Sequence, residues 1–198
     1  MNKLGIPLIE CPHMRIAVIG PQNTGKSTFI KDFIKAFPHY KTPKETYRNV
    51  VNKQNLKINQ KTSEGSQKAI RDFLFDQVKN FQGENVIFDR CLLDNYVYTL
   101  AQYLKGKIDK KFLNQTKRMM RTSLTHIDRL VLIPTAVGVE LVVDKLRDTD
   151  KLYIDNINKL FIEEIIEFAR NNPTPIWVIS GDRKTRIKII RKKLNERK

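Results

Sequence analysis

Apolar positions along the chain fall into short unbroken runs separated by longer stretches in which they recur every three or four residues. Four runs stand out: Ile16, Ala17, Val18 and Ile19; NVIFDR at 85–90; RLVLIP at 129–134; and PIWVIS at 175–180. Each reads as a strand buried on both faces of a parallel sheet, since such a strand has no polar face to show. Between the runs, the spacing is that of one helix face. Phe29, Ile30, Phe33, Ile34 and Phe37 form the first stripe, which Pro38 ends. Ile70, Phe73, Leu74 and Val78 form a stripe over 66–81, and Leu93, Tyr96, Val97, Leu100 and Leu104 another over 92–104. Further helices follow over about 110–126, over 152–171 with Leu160, Phe161, Ile165 and Phe168 inward, and from Arg183 with Ile187, Ile190 and Leu194 inward. Strands alternating with helices predict one α/β domain over 14–198 with right-handed crossovers.

Three stretches lack a clear period. Residues 1–13, with Gly5, Pro7 and Pro12, read as an arm or a short cover strand. For PHYKTPKETYR at 38–48 two readings stand. One is the second strand of the sheet, broken early by Pro43, with Glu45 and Arg48 at the ligand-binding end. The other is a helix start capped by Thr42 or Thr46, with Glu45 a favourable first-turn charge. The polar stretch 49–60 is expected to be a mobile helix or loop.

The candidate chemistry begins directly after the first strand. GPQNTGKS at Gly20 to Ser27 fits the phosphate-binding pattern GxxxxGK[ST], in the required order of strand, loop and helix. Gly20 and Gly25 let the backbone approach a polyphosphate, so that amide N–H groups and the helix N-terminus point at it. Lys26 adds a charge near the β and γ phosphates, and the Ser27 hydroxyl is placed for Mg2+. Gln22, Asn23, Thr24 and Thr28 complete the candidate nucleotide-binding set.

Asp89 ends the NVIFDR strand beside that loop, the Walker B position, where a carboxylate holds Mg2+ or orients the attacking group. The alternative is a cap for the next segment. Hydrolytic ATPases commonly place Glu next, whereas here Arg90 follows, a residue that suits an anionic acceptor. Its plainer reading is a surface arginine paired with Asp94. After the fourth strand, the segment at about 136–151 crowds Lys145, Arg147, Asp148 and Asp150 together. A lid that delivers an arginine to the transition state belongs there, and Arg147 is the candidate, with pairing to Asp148 or Asp150 as the alternative. Tyr96, Tyr98 and Tyr103 lie at helical spacing and read as core before they read as base-stacking groups.

Charge and cysteine count narrow the class. Lys and Arg number 37 against 21 Asp and Glu, a formal net charge of +16. That balance favours anionic partners, nucleotides at least and nucleic acid as a further candidate, although Lys117, Arg118 and Arg121 read first as a solvated face. The two cysteines, Cys11 and Cys91, imply no disulfide framework, and Cys11 with His13 lacks a partner pair for metal. There is no apolar run of about 18 residues to span a membrane and no signal-peptide core in the first 13, so the expectation is an intracellular, cytoplasmic protein without membrane partners. No NKxD base-reading motif of GTPases and no nucleophile motif of Ser-His-Asp hydrolases is present.

With these motifs placed, the chain resembles a P-loop nucleoside or nucleotide kinase-like protein. The nearest likeness is the AAA-domain ATPase family allied to ribosylnicotinamide kinase, with thymidylate kinase a more distant relative. GPQNTGKST is similar to that family's first motif, FDR to the Asp-Arg of thymidylate kinases, and DKLRDTDKLY to a lid of the form DGxRxxD, with Lys145 in place of the glycine. ETYR at 45–48 is similar to the family's Glu and Arg after the second strand, which makes Glu45 a catalytic and Arg48 a substrate-binding candidate. The resemblance implies a three-layer α/β/α domain with a five-stranded parallel sheet in the order 2-3-1-4-5, and ATP with Mg2+. It also implies transfer of the γ-phosphate to a nucleoside, nucleotide or related acceptor. In that reading Ser27 and Asp89 hold the metal, Glu45 or Asp89 takes the acceptor proton, and Arg90 and Arg147 bind phosphates. A polynucleotide-directed kinase and an ATP-dependent nucleic-acid-associated switch protein are the alternatives.

Overall fold

A computed structural model describes residues 13–135 and 150–195. The elements run β1 (Arg15–Ile19), α1 (Lys26–Ala36), α2 (Tyr47–Lys53), a short 3-10 turn (Asn59–Lys61), α3 (Glu64–Asn80), β2 (Val86–Asp89), α4 (Leu92–Leu104), α5 (Lys110–Leu124), β3 (Arg129–Leu132), α6 (Lys151–Asn171), β4 (Ile176–Val178) and α7 (Arg183–Asn195). The four strands form one parallel sheet in the order β2-β1-β3-β4. Val18 stands beside Asp89 and Ile19 beside Leu132, so the strands end on a common edge. In an open parallel sheet that edge is where ligands gather.

Among the described residues the sheet has four strands where five were expected. In place of a second strand over 38–48 there is one parallel bridge, Lys41 to Val86, on the outer edge of β2. The Lys41 amide donates to the Asn85 carbonyl (2.8 Å), and its own carbonyl accepts from Ile87 (2.9 Å). Pro38 and Pro43 bracket this residue, and a proline has no N–H to extend a ladder. The chain then turns away, and Thr46 starts α2, its amide donating to Asn49 Oδ1 at 2.8 Å.

Alternating side chains of each strand point to opposite faces, and both faces are covered. Ala17, Ile19, Phe88 and Leu130 pack under α3, α4 and α5, against Leu74, Leu93 and Leu124. Ile16, Val18, Ile87 and Val131 pack under α1 and α7, against Phe29, Phe33 and Ile190. This is the three-layer α/β/α arrangement. Helix α6 lies on α4 through Val97, Ala101, Tyr153, Ile157 and Phe161. Leu104, counted with the inward stripe of α4, is 64% exposed, because its turn at the end of the helix runs past that cover. Among the described residues no helix is long and apolar enough to cross a membrane.

Candidate functional site

The common edge holds a cleft of about 440 Å³ whose floor is built by the turn after β1. At Gly20 the backbone has φ +134°, and a Cβ there would stand 2.5 Å from the Ile133 carbonyl oxygen, so the turn admits only glycine. Asn23 (φ +62°) and Gly25 (φ +82°) complete the loop, and Gly25 is the N-cap of α1. Lys26, the first residue of α1, is 6% exposed. Its ammonium donates to the Gly20 carbonyl at 2.8 Å, to the Pro21 carbonyl and to Thr24 Oγ1 at 3.4 Å. Burial, and then the nearby charge of Arg90, pushes the Lys26 ammonium down to about 7, while Asp94 and Asp89 pull the other way. A buried cation satisfied only by neutral oxygens is poised for a phosphate.

Ser27 Oγ donates to Asp89 Oδ2 at 2.9 Å. Sheet register makes this contact, since Asp89 is carried by β2 next to Val18 of β1. The pair offers an alcohol and a carboxylate oxygen beside the phosphate loop, a donor set that fits Mg2+, which takes oxygen ligands and binds through one or two carboxylates together with substrate phosphates.

Arg90 is buried and held at φ +78°, a sparsely populated conformation for a side chain of this size. Its amide donates to the Val18 carbonyl (3.0 Å), which fixes the turn. Its guanidinium donates from Nη1 to Asp94 Oδ1 (2.9 Å) and lies 5.0 Å from the Tyr47 ring and 5.4 Å from the Tyr98 ring. Asp94 also accepts from the amides of Gly20 (3.3 Å) and Cys91 (3.2 Å). Burial pushes the Asp94 carboxyl up, against the pull of Arg90 and Lys26. The Arg90–Asp94 pair foreseen as a surface contact is thus a buried one beneath the cleft, and it ties the phosphate loop to α4.

On one side the cleft is closed by the start of α7. Arg186 donates from Nη1 to the Thr24 carbonyl (3.0 Å) and from Nε to the Gly181 carbonyl (2.8 Å), and Arg183 forms a bidentate pair with Asp32 at 2.8 and 2.6 Å. On the other side lie Tyr47, Arg48, Ile70, Leu74, Asn95 and Tyr98. Asn95 is buried, and its Nδ2 donates to the Gln67 carbonyl (3.1 Å) and to Gln67 Oε1 (2.9 Å). Among the described residues its Oδ1 has no hydrogen-bond partner, which leaves a buried acceptor in the cleft wall.

Of the residues expected at the site, Gln22, Asn23, Thr24, Gly25, Lys26, Ser27 and Thr28 line the cleft together with Arg48, Asp89 and Arg90, and Gly20 forms the turn beneath Lys26. Glu45 does not join them. Its carboxylate is on the outer surface, paired with Lys53 at 2.6 Å, and only its carbonyl is engaged inward, by Gln77 Nε2 (2.8 Å). Arg147 and the expected lid, with Lys145 and Asp148, lie outside the described residues. Gln67, Asn95, Arg183 and Arg186 were not foreseen. A polar Asn inside the stripe LLDNYVYTL was a usable signal, whereas the two arginines sat in an ordinary basic tail.

Comparison with protein families matches residues 15–186 to a family described as an AAA domain. No curated protein matches the sequence. Among solved structures, deoxyadenosine kinase from M. mycoides is similar at 24% identity and TM-score 0.71, over 93% of this chain and 100% of that one. NadR in complex with NR is similar at 15% identity and TM-score 0.68, over 91% of this chain and 51% of that one. Thymidylate kinase from Candida albicans is similar at 14% identity and TM-score 0.67, over 94% of this chain and 92% of that one. At such identities the likeness carries the fold.

Proposed function

The chain belongs to the AAA-domain family, and from that premise we propose that it is an ATP-dependent kinase that moves the γ-phosphate of ATP to a nucleoside, nucleotide or related small acceptor. The observation that carries this reading is the meeting of Lys26, Ser27 and Asp89 on one strand edge with a cation, Arg90, where a hydrolase would place a water-activating carboxylate. A cleft of about 440 Å³ is of small-molecule size, which favours a small acceptor over a polynucleotide.

In this reading the loop amides and the N-terminus of α1 cradle the triphosphate, and Lys26 leaves its main-chain carbonyls to neutralise charge on the β and γ phosphates. Ser27 and Asp89 are the residues that would hold Mg2+, whose chemistry is to offset charge on bridging phosphate oxygens. Arg186 holds the Thr24 carbonyl and, through the planar trans peptide, fixes the direction of the Gly25 N–H in the loop. The acceptor sits against Ile70, Leu74 and Tyr98, where Asn95 Oδ1 takes a donor from it. Arg147, outside the described residues, is the candidate to add positive charge at the transition state.

Calorimetric titration with MgATP tests the site. The protein is expected to bind in the micromolar to millimolar range, and Lys26→Met to weaken binding at least about tenfold. Equal affinities would end the proposal.

A further inference from the structure

Among the described residues, the acceptor side of the cleft carries a cation without a carboxylate and offers no carboxylate without a partner, and this bears on what the acceptor is. Phosphorylating an alcohol requires a base, because the hydroxyl proton must leave as the oxygen attacks, and the base must sit within hydrogen-bond reach of it. Among the described residues, four carboxylates line the cleft: Asp32, Asp89, Asp94 and Asp182. Each is engaged. Asp32 is held by Arg183, Asp89 by Ser27, Asp94 by Arg90 and two amides, and Asp182 by the Thr185 amide at 2.7 Å. Glu45, one of the two expected bases, is paired with Lys53 on the outer surface, and among the described residues no histidine lines the cleft.

Arg48 is the complementary feature. It lines the cleft from α2, its charge acts on Lys26, and among the described residues no carboxylate pairs with it; its one recorded contact is with the neighbouring Tyr47 ring, at 5.9 Å. A half-buried guanidinium facing a cleft beside a phosphate loop is a site for a second anion. We propose that the acceptor is a phosphomonoester, with a nucleoside 5'-monophosphate as the class that fits the cleft, and that Arg48 holds its phosphate facing the γ-phosphate of ATP. This rests on the kinase reading above and names its substrate class.

The step then balances without a base. A phosphate monoester has its second pKa near 6 and is mostly dianionic at pH 7, so its oxygen attacks as it stands. A new bond forms between that oxygen and the γ phosphorus. The bond from the γ phosphorus to the β–γ bridging oxygen breaks, its electron pair leaves with ADP, and the acceptor becomes a diphosphate. No proton moves. What the enzyme must supply is positive charge against two approaching anions, and Arg48 with Lys26 supplies it.

The experiment measures ADP release from MgATP by the full chain with each common ribo- and deoxyribonucleoside and with its 5'-monophosphate, and identifies the product by mass. At least one monophosphate is expected to raise turnover about 100-fold over background, while its parent nucleoside gives under about one hundredth of that rate. Arg48→Met is expected to raise KM for the monophosphate about 10- to 100-fold and KM for ATP less than about threefold, with partial recovery in Arg48→Lys. A nucleoside that matches its monophosphate, or an unchanged monophosphate KM in Arg48→Met, overturns the inference and leaves the kinase reading standing. If no compound of either class raises turnover, both fall.

Discussion

Lys26 gives a pH dependence whose sign and size follow from its burial. In the free protein its ammonium is pushed down to about 7, because burial and the charge of Arg90 disfavour the proton more than Asp94 and Asp89 favour it. A triphosphate beside it reverses that balance, so binding ATP at alkaline pH requires taking up a proton. For one such group, the competent fraction is about one half at pH 7, about one tenth at pH 8 and about one hundredth at pH 9, so the Kd for ATP rises about 50-fold from pH 7 to 9, or about 2.3 kcal/mol. ATP itself loses its last phosphate proton near pH 6, a change that is over by pH 7 and of opposite sign. Titration calorimetry at pH 8 in two buffers of different ionisation enthalpy should report about 0.9 protons taken up per ATP. Lys26→Arg keeps its charge throughout and should lose the slope at whatever affinity it retains, which separates Lys26 from Asp94, whose carboxyl burial pushes up. Without ATP the trend reverses. A group whose folded pKa lies below its unfolded value of 10.5 leaves the unfolded chain holding more protons between about pH 7 and 10.5, so stability gains up to about 1.4 kcal/mol per pH unit within that window. A Kd flat from pH 7 to 9, with no proton uptake, would refute the reasoning.

Three substitutions probe the rest of the site. Gly20→Ala drives a Cβ into the Ile133 carbonyl at a positive φ, and should cost about 3 kcal/mol, lowering Tm by about 6–12 °C in thermal unfolding. Asp89→Asn removes one carboxylate charge next to Ser27, and should lower kcat about 100-fold with little change in Tm, with a raised Mg2+ requirement in a metal titration. Arg186→Met releases the Thr24 carbonyl and should raise KM for ATP about tenfold with kcat nearly unchanged, whereas a purely structural role would show as lost Tm with KM intact.

What could be read ahead of the structure was local in the chain. The turn after β1 lies in one contiguous segment, so GPQNTGKS and its flanks were enough to expect the order of strand, turn and helix found there. The bounds of α4 followed from one stripe of apolar residues, and so did the short strands ending at Ile19 and Asp89. The edge strand failed because two prolines five residues apart leave a single bridging amide, at Lys41. The place of Glu45 outside the described cleft could not be read, because the direction of its side chain depends on where α2 starts and on Lys53 one helix length away. The Asn95–Gln67 network joins two helices, and Arg183 and Arg186 reach Asp32 and Thr24 across 151 and 162 residues of sequence. Only the packing of layers reveals such contacts.

The most direct test of the account is to follow the γ-phosphate itself. ATP labelled in that group, incubated with the wild-type chain and a pool of nucleosides and their monophosphates, should yield label in one acceptor, and Lys26→Met should yield none. Label that remains in ATP, or that passes only to inorganic phosphate whatever acceptor is offered, would contradict it.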